Sequence, residues 1–236
     1  MKTIARIISF VLIGLLVNNS CFTQVSKNNS AELFSQFKVL FQQIDLPINW
    51  DGRDIGRFGM PSYGQKSSFY EIPLEFYSFI PEYIVNSDST TYIRALFKLP
   101  PKNGMHLFII VTDYMYDLYK DGELYSILTQ LYLIGYDNSG KLLFHEMIAG
   151  NNVDKWDKLL KFNADYTFET RHYKFLGGAI KHPSKSHLIG KMQYTKTSCE
   201  ITANGTINCT SETIKGYFDS LPDGDYELVK EVYKDD

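Results

Sequence analysis

The sequence predicts an all-β fold: an antiparallel meander of about nine strands, curled into a barrel-like sheet, a sandwich or a propeller-like arrangement, behind one N-terminal amphipathic helix. Three observations predict it. From Leu124 to Ile148, two runs rich in Leu, Ile, Tyr and Phe flank the polar break Asp137-Asn138-Ser139-Gly140, which is a β-hairpin signature. The aromatic residues are those that fill pleated surfaces, 17 Tyr and 16 Phe against 2 Trp. Strands and helices do not alternate along the chain, so a parallel sheet is not expected.

The chain opens Met1-Lys2-Thr3-Ile4-Ala5-Arg6, then runs apolar from Ile7 to Val17 with only Ser9 and Gly14 intervening. Two cations, a short apolar core and small polar residues are the layout of a secretory signal peptide, here 1–23. The run falls short of the roughly 20 residues that cross a bilayer. Cys21 admits two readings. It is either the lipidated first residue of a lipoprotein, or cleavage falls between Thr23 and Gln24. Export to the periplasm or outer membrane, or secretion, is expected either way, with membrane attachment only through a lipid anchor on Cys21. Residues 24–29 read as a tether and 30–236 as a single β-rich domain.

Residues 30–44 read as an amphipathic helix. Leu33, Phe34, Phe37, Leu40, Phe41 and Ile44 recur at helical spacing, Asn29 and Glu32 cap the start, and Leu46-Pro47 ends it. Ile48 to Ser68 is Gly-rich and aperiodic. Its Trp50, Arg53, Arg57 and Phe58 are the residue types of contact hot spots, so it is either a binding segment or a loop laid over the core by its aromatics. Between Phe69 and Tyr83, Pro73 and Pro81 limit the chain to edge strand or irregular structure. Tyr92–Leu99 and Met105–Thr112 form a hairpin around Pro100–Gly104. Asp113 to Glu123 reads as a polar connector, a solvated acidic face that also carries the candidate contact residues Tyr114 and Tyr116.

In the central hairpin, Asn138, Ser139 and Gly140 read as a type I turn closed by Gly in the left-handed position. That register sets Tyr136 opposite Leu142, Ile134 opposite Phe144, Tyr132 opposite Glu146, Leu133 opposite His145 and Leu131 opposite Met147. Both faces are apolar, which predicts a strand pair covered on both sides; a buried helix over 124–135 is the competing reading. Trp156–Phe162 is a strand or one helical turn. Tyr166–Phe175 is a strand broken by Gly177-Gly178 and Pro183. His187–Thr202 and Thr206–Thr210 form a hairpin, Ile214–Phe218 a short strand, and Tyr226–Tyr233 a last strand or helix. With Ala203-Asn204-Gly205 as a three-residue loop, Cys199 falls opposite Cys209, within disulfide reach. Export to an oxidising compartment permits that bond.

The phrase Leu-Tyr-Leu-Ile-Gly-Tyr-Asp-Asn-Ser-Gly-Lys-Leu-Leu, with Ile148-Ala149-Gly150 and Asn163-Ala164-Asp165-Tyr166-Thr167-Phe168, resembles exported β-rich proteins and lipoproteins of Bacteroidetes bacteria that have no assigned function. The resemblance covers roughly 90–175 and the signal region. It implies an envelope location and transfers no catalytic residue.

The motifs of catalysis give little. The histidines His106, His145, His172, His182 and His187 show no HExxH spacing, and no Gly-x-Ser-x-Gly elbow or phosphate loop occurs. His182 and His187 share one loop, read as a solvated basic loop in preference to a metal pair. No cofactor or metal is expected. A net charge of −3 implies no pull on nucleic acid. The expected function is a non-enzymatic envelope protein that binds a protein or glycan partner. A periplasmic immunity-type inhibitor of a toxin, and a hydrolase on an all-β scaffold, are the alternatives.

Overall fold

The computed structural model describes residues 30–59, 69–85, 91–117, 125–152, 156–222 and 225–232. The signal region, the tether and Cys21 lie outside the described residues, as do 60–68 and 118–124. The fold is mainly β with few helices, its strands joined in one continuous ladder of which part curls into a half-barrel.

Its elements are α1 (30–39), β1 (Gln42–Gln43), β2 (Ile48–Trp50), α2 (Gly52–Phe58), β3 (Tyr70–Glu71), a 3-10 helix (Leu74–Phe79), α3 (Glu82–Val85), β4 (Thr91–Lys98), β5 (His106–Asp117), β6 (Tyr125–Tyr136), β7 (Leu142–Asn152), β8 (Trp156–Phe162), β9 (Thr167–Lys181), β10 (Leu188–Ile201), β11 (Ile207–Ser220) and β12 (Tyr226–Glu231). From β4 to β12 each strand pairs antiparallel with the next, which is the expected meander. Three short strands add to it: β1 and β3 lie along β4, and β2 pairs with β8.

The central hairpin is covered on both faces. On one, Tyr132, Ile134 and Tyr136 join Phe108 and Ile110 under Phe34 and Phe37 of α1, Phe41, and the 74–84 segment. On the other, Leu131 and Leu133 join Leu107, Ile109 and Val111 against Ile148, Leu160, Phe162, Phe168 and Ile201. Truncating a fully buried ring such as Phe37 in such a core costs about 3–5 kcal/mol.

The turn is as expected. The Gly140 N–H donates to the Asp137 carbonyl at 3.1 Å with Gly140 at φ +84°, and Tyr136 faces Leu142. Beyond that pair the register differs. A bulge sets Gly135 opposite Phe144, so Ile134 faces His145, Leu133 faces Glu146 and Tyr132 faces Met147; a second bulge sets Leu131 opposite Ala149. The Phe144 ring occupies the space a side chain at Gly135 would need, which is why glycine stands at the first shift. In the late hairpin the expected register holds: Cys199 lies opposite Cys209, the two are bonded, and their Cα atoms are 4.2 Å apart.

Other expectations are corrected. The first helix ends at residue 39, not 44, because Gln42 and Gln43 pair with Phe97 and Lys98, and tertiary pairing overrides helical spacing. The 48–59 stretch is ordered structure. Ile48–Trp50 pairs with Leu160–Phe162, and the Asp54 N–H donates to Asp51 Oδ1 at 3.0 Å to start α2. β5 runs on to Asp117, so the first part of the presumed connector is strand. β9 continues to Lys181 through Gly177 and Gly178, both at positive φ (+85° and +76°), where the ladder to β10 shifts register. Ile214–Phe218 is part of the long strand β11.

Candidate functional site

Strands β9 to β12 carry an aromatic cleft. Alternation puts Arg171 and Tyr173 on the same face of β9. Register then sets Tyr173 beside Tyr194 of β10, Tyr194 beside Ile214 of β11, and Phe218 beside Leu228 of β12. A tight turn closed by the Leu221 N–H donating to the Asp225 carbonyl at 2.8 Å brings Asp225 and Tyr226 over that row. The result is a cleft of about 270 Å³.

Tyr173 and Phe218 are its buried floor, at 5 % and 4 % exposure. Tyr194, Tyr226, Ile214 and Leu228 form a partly exposed rim. The Tyr173 ring centre lies 4.6 Å from that of Tyr226, 5.0 Å from Tyr194 and 5.9 Å from Phe218. One end of the cleft is polar. Arg171 Nη1 donates to Asp225 Oδ2, the Tyr173 hydroxyl donates to Asp225 Oδ1 at 2.8 Å, and the Tyr226 N–H donates to the same oxygen at 2.9 Å. Burial first, then the Asp225 carboxylate, pushes the Tyr173 phenol far up; burial chiefly raises Tyr194 as well. Both phenols are therefore neutral donors at physiological pH. The charges of Arg171 and Asp225 cancel, so the polar end is strongly dipolar yet without net charge. The Nε–H of Arg171 is buried and has no acceptor among the described residues.

Two further polar clusters hold the fold. Within the half-barrel, Arg94 donates to Asp113 Oδ2 and to the Phe58 carbonyl, while the Thr129 hydroxyl donates to Asp113 Oδ1 at 2.8 Å. Asp113, read from sequence as part of a solvated acidic face, is fully buried, because β4 and β6 flank it on both sides. At the β9–β10 turn, Asp219 Oδ2 accepts from Lys185 at 2.6 Å and its Oδ1 lies 2.7 Å from His187 Nε2. His182 is buried there too, its Nδ1 accepting from the Ser184 N–H at 3.0 Å. The 182–187 turn is thus solvent-exposed from Pro183 to His187, as expected, but is tied down by Asp219. Among the described residues no group of three or more His, Cys, Asp or Glu side chains is placed to hold a metal ion.

Of the residues singled out in sequence as contacts, Trp50, Arg57 and Phe58 do not line the cleft. Trp50 is buried at 7 % exposure, because β2 turns residues 48 and 50 inward. It meets Phe58 at 4.8 Å and Phe97 at 5.7 Å between ring centres, so this pair belongs to the packing of the core. Arg57 is exposed and paired with Asp54 at 3.3 Å. Arg53 lies in α2, and Tyr114 and Tyr116 lie in β5; their side chains are outside the described set. Sequence reading missed the cleft because its aromatics come from four strands. The one available signal was the Arg171-x-Tyr173 alternation in β9.

Known protein families, curated proteins and solved structures contain no match to this chain.

Proposed function

We propose that this is a non-enzymatic binding protein of the cell envelope, exported, which holds a protein or glycan partner at the β9–β12 cleft. The observation that carries the reading is that cleft: a buried tyrosine and phenylalanine floor, a partly exposed aromatic rim and a polar end whose charges cancel. Such a concave apolar surface with a few fixed polar groups is the usual make-up of a small binding site. The Cys199–Cys209 bond and the signal-like N-terminus support export, with anchoring through Cys21 in the lipidated case. A glycosidase acid requires a carboxyl held protonated near neutral pH. Asp219 is instead pushed down to about 2, by Lys185 first and then His187, and is suited to a structural role.

The test is retention of envelope material by the immobilised full chain, compared with Tyr194→Ala. Tyr194 stands on the rim, so its truncation leaves the floor in place. The expected result is loss of the retained species at unchanged thermal stability. Equal retention by both proteins would remove the cleft from the account.

A further inference from the structure

We propose that the cleft is a subsite for one neutral pyranose ring. The inference rests on the reading of the cleft as the binding place and names the ligand class it takes.

Size comes first. Sites for drug-sized ligands span about 300–1,000 Å³. At about 270 Å³ this cleft has room for a single six-membered sugar ring and not for an oligosaccharide or a folded peptide segment within it. A longer glycan would place one ring here and run out over the rim.

Surface chemistry comes second. The walls are rings, Tyr173, Tyr194, Tyr226 and Phe218, with Leu228 at the edge. An aromatic face is electrostatically negative, and the C–H hydrogens on one side of a pyranose are slightly positive, so the two stack. The sugar's hydroxyl edge then turns towards Arg171 and Asp225.

Charge comes third. Arg171 and Asp225 already neutralise each other, and Asp225 accepts at least three hydrogen bonds. Neither an anionic nor a cationic ligand therefore meets an uncompensated charge at this end of the cleft. A purely apolar ligand would shield the part-buried Arg171–Asp225 pair from water and offer its remaining donors and acceptors nothing in return. A neutral polyol suits both groups, since each hydroxyl accepts from a guanidinium and donates elsewhere. The Tyr194 hydroxyl, which has no hydrogen bond to another described residue, is a second point of contact on the rim.

The experiment is titration of the purified full chain with glucose, galactose, mannose and N-acetylglucosamine, and in parallel with glucuronate and a neutral tetrapeptide. Ring resonances of the tyrosines report the cleft. At least one neutral sugar is expected to shift the Tyr194 and Tyr226 signals saturably, with glucuronate weaker. Tyr194→Ala is expected to weaken the effect by at least about tenfold, and Tyr194→Phe by less. Thermal unfolding of each variant separates a lost site from a lost fold. Shifts produced only by glucuronate or the peptide would overturn the neutral-sugar inference and leave the cleft as a binding place. A lack of response to every sugar, while envelope material is still retained in a Tyr194-dependent way, would do the same. A lack of response with no Tyr194-dependent retention would overturn both.

Discussion

The Tyr173 hydroxyl donates to Asp225 Oδ1 at 2.8 Å, which fastens β9 to the turn that enters β12, 52 residues away. This bond and the Arg171 pair both hold Asp225, so the edge strand β12 is anchored at its N-terminal end. Tyr173→Phe is expected to cost about 1–1.5 kcal/mol, since Asp225 keeps the Arg171 and Tyr226 donors. Tyr173→Ala removes the buried ring as well and is expected to cost about 3–5 kcal/mol. Urea unfolding of the two variants reads both values, and equal losses would contradict this division.

Gly216 sits where β11 passes closest to β12. A Cβ there would lie 2.6 Å from the Lys230 carbonyl oxygen, which is backbone and cannot swing away. Gly216→Ala is therefore expected to push β12 off its partner while the rest of the meander stays paired. Hydrogen exchange should show loss of protection across Tyr226–Glu231, with β4–β7 unchanged. Unaltered protection in β12 would show that the strand accommodates the methyl group.

Arg94 and Asp113 form a buried pair at 6 % and 0 % side-chain exposure. Removing one partner leaves a buried charge uncompensated, at a cost of about 3–5 kcal/mol. Asp113→Ala is expected to fall in that range. Arg94→Met combined with Asp113→Leu is expected to be less destabilising than either single change, which thermal unfolding of all three proteins would test.

Asp219 is depressed to about 2 by Lys185 and His187. A depressed carboxyl contributes stability above its unfolded value, near 3.9, and loses that contribution as pH falls through the folded value. Stability should therefore decline between about pH 4 and pH 2 more steeply in the natural protein than in Asp219→Asn. Parallel curves for the two would mean that Asp219 makes no such contribution.

Local chemistry made much of this fold legible. Gly140 and Gly205 mark turn positions with positive φ, so the place of both hairpins and the Cys199–Cys209 pairing follow from them, whereas the bulges that shift the central register at Gly135 and Leu131 do not. What escaped depends on partners distant in the chain. Asp113 reads as a surface acid until β4 brings Arg94 alongside it. The helical spacing of Leu40, Phe41 and Ile44 is real, yet Gln42 and Gln43 find a strand edge. Trp50 has the make-up of a contact residue, but two-residue alternation in β2 turns it inward. The cleft was the least legible part, because Arg171 and Asp225 stand 54 residues apart and Tyr173, Tyr194 and Tyr226 each sit in a strand of ordinary composition.

The most direct measurement places a photo-crosslinking residue at Leu228, on the rim of the cleft, and another at Val39, exposed at 79 % at the end of α1. Each full-length protein is illuminated in envelope extract. The account predicts a discrete crosslinked species from position 228 and none from position 39. A species captured at position 39 alone would contradict it.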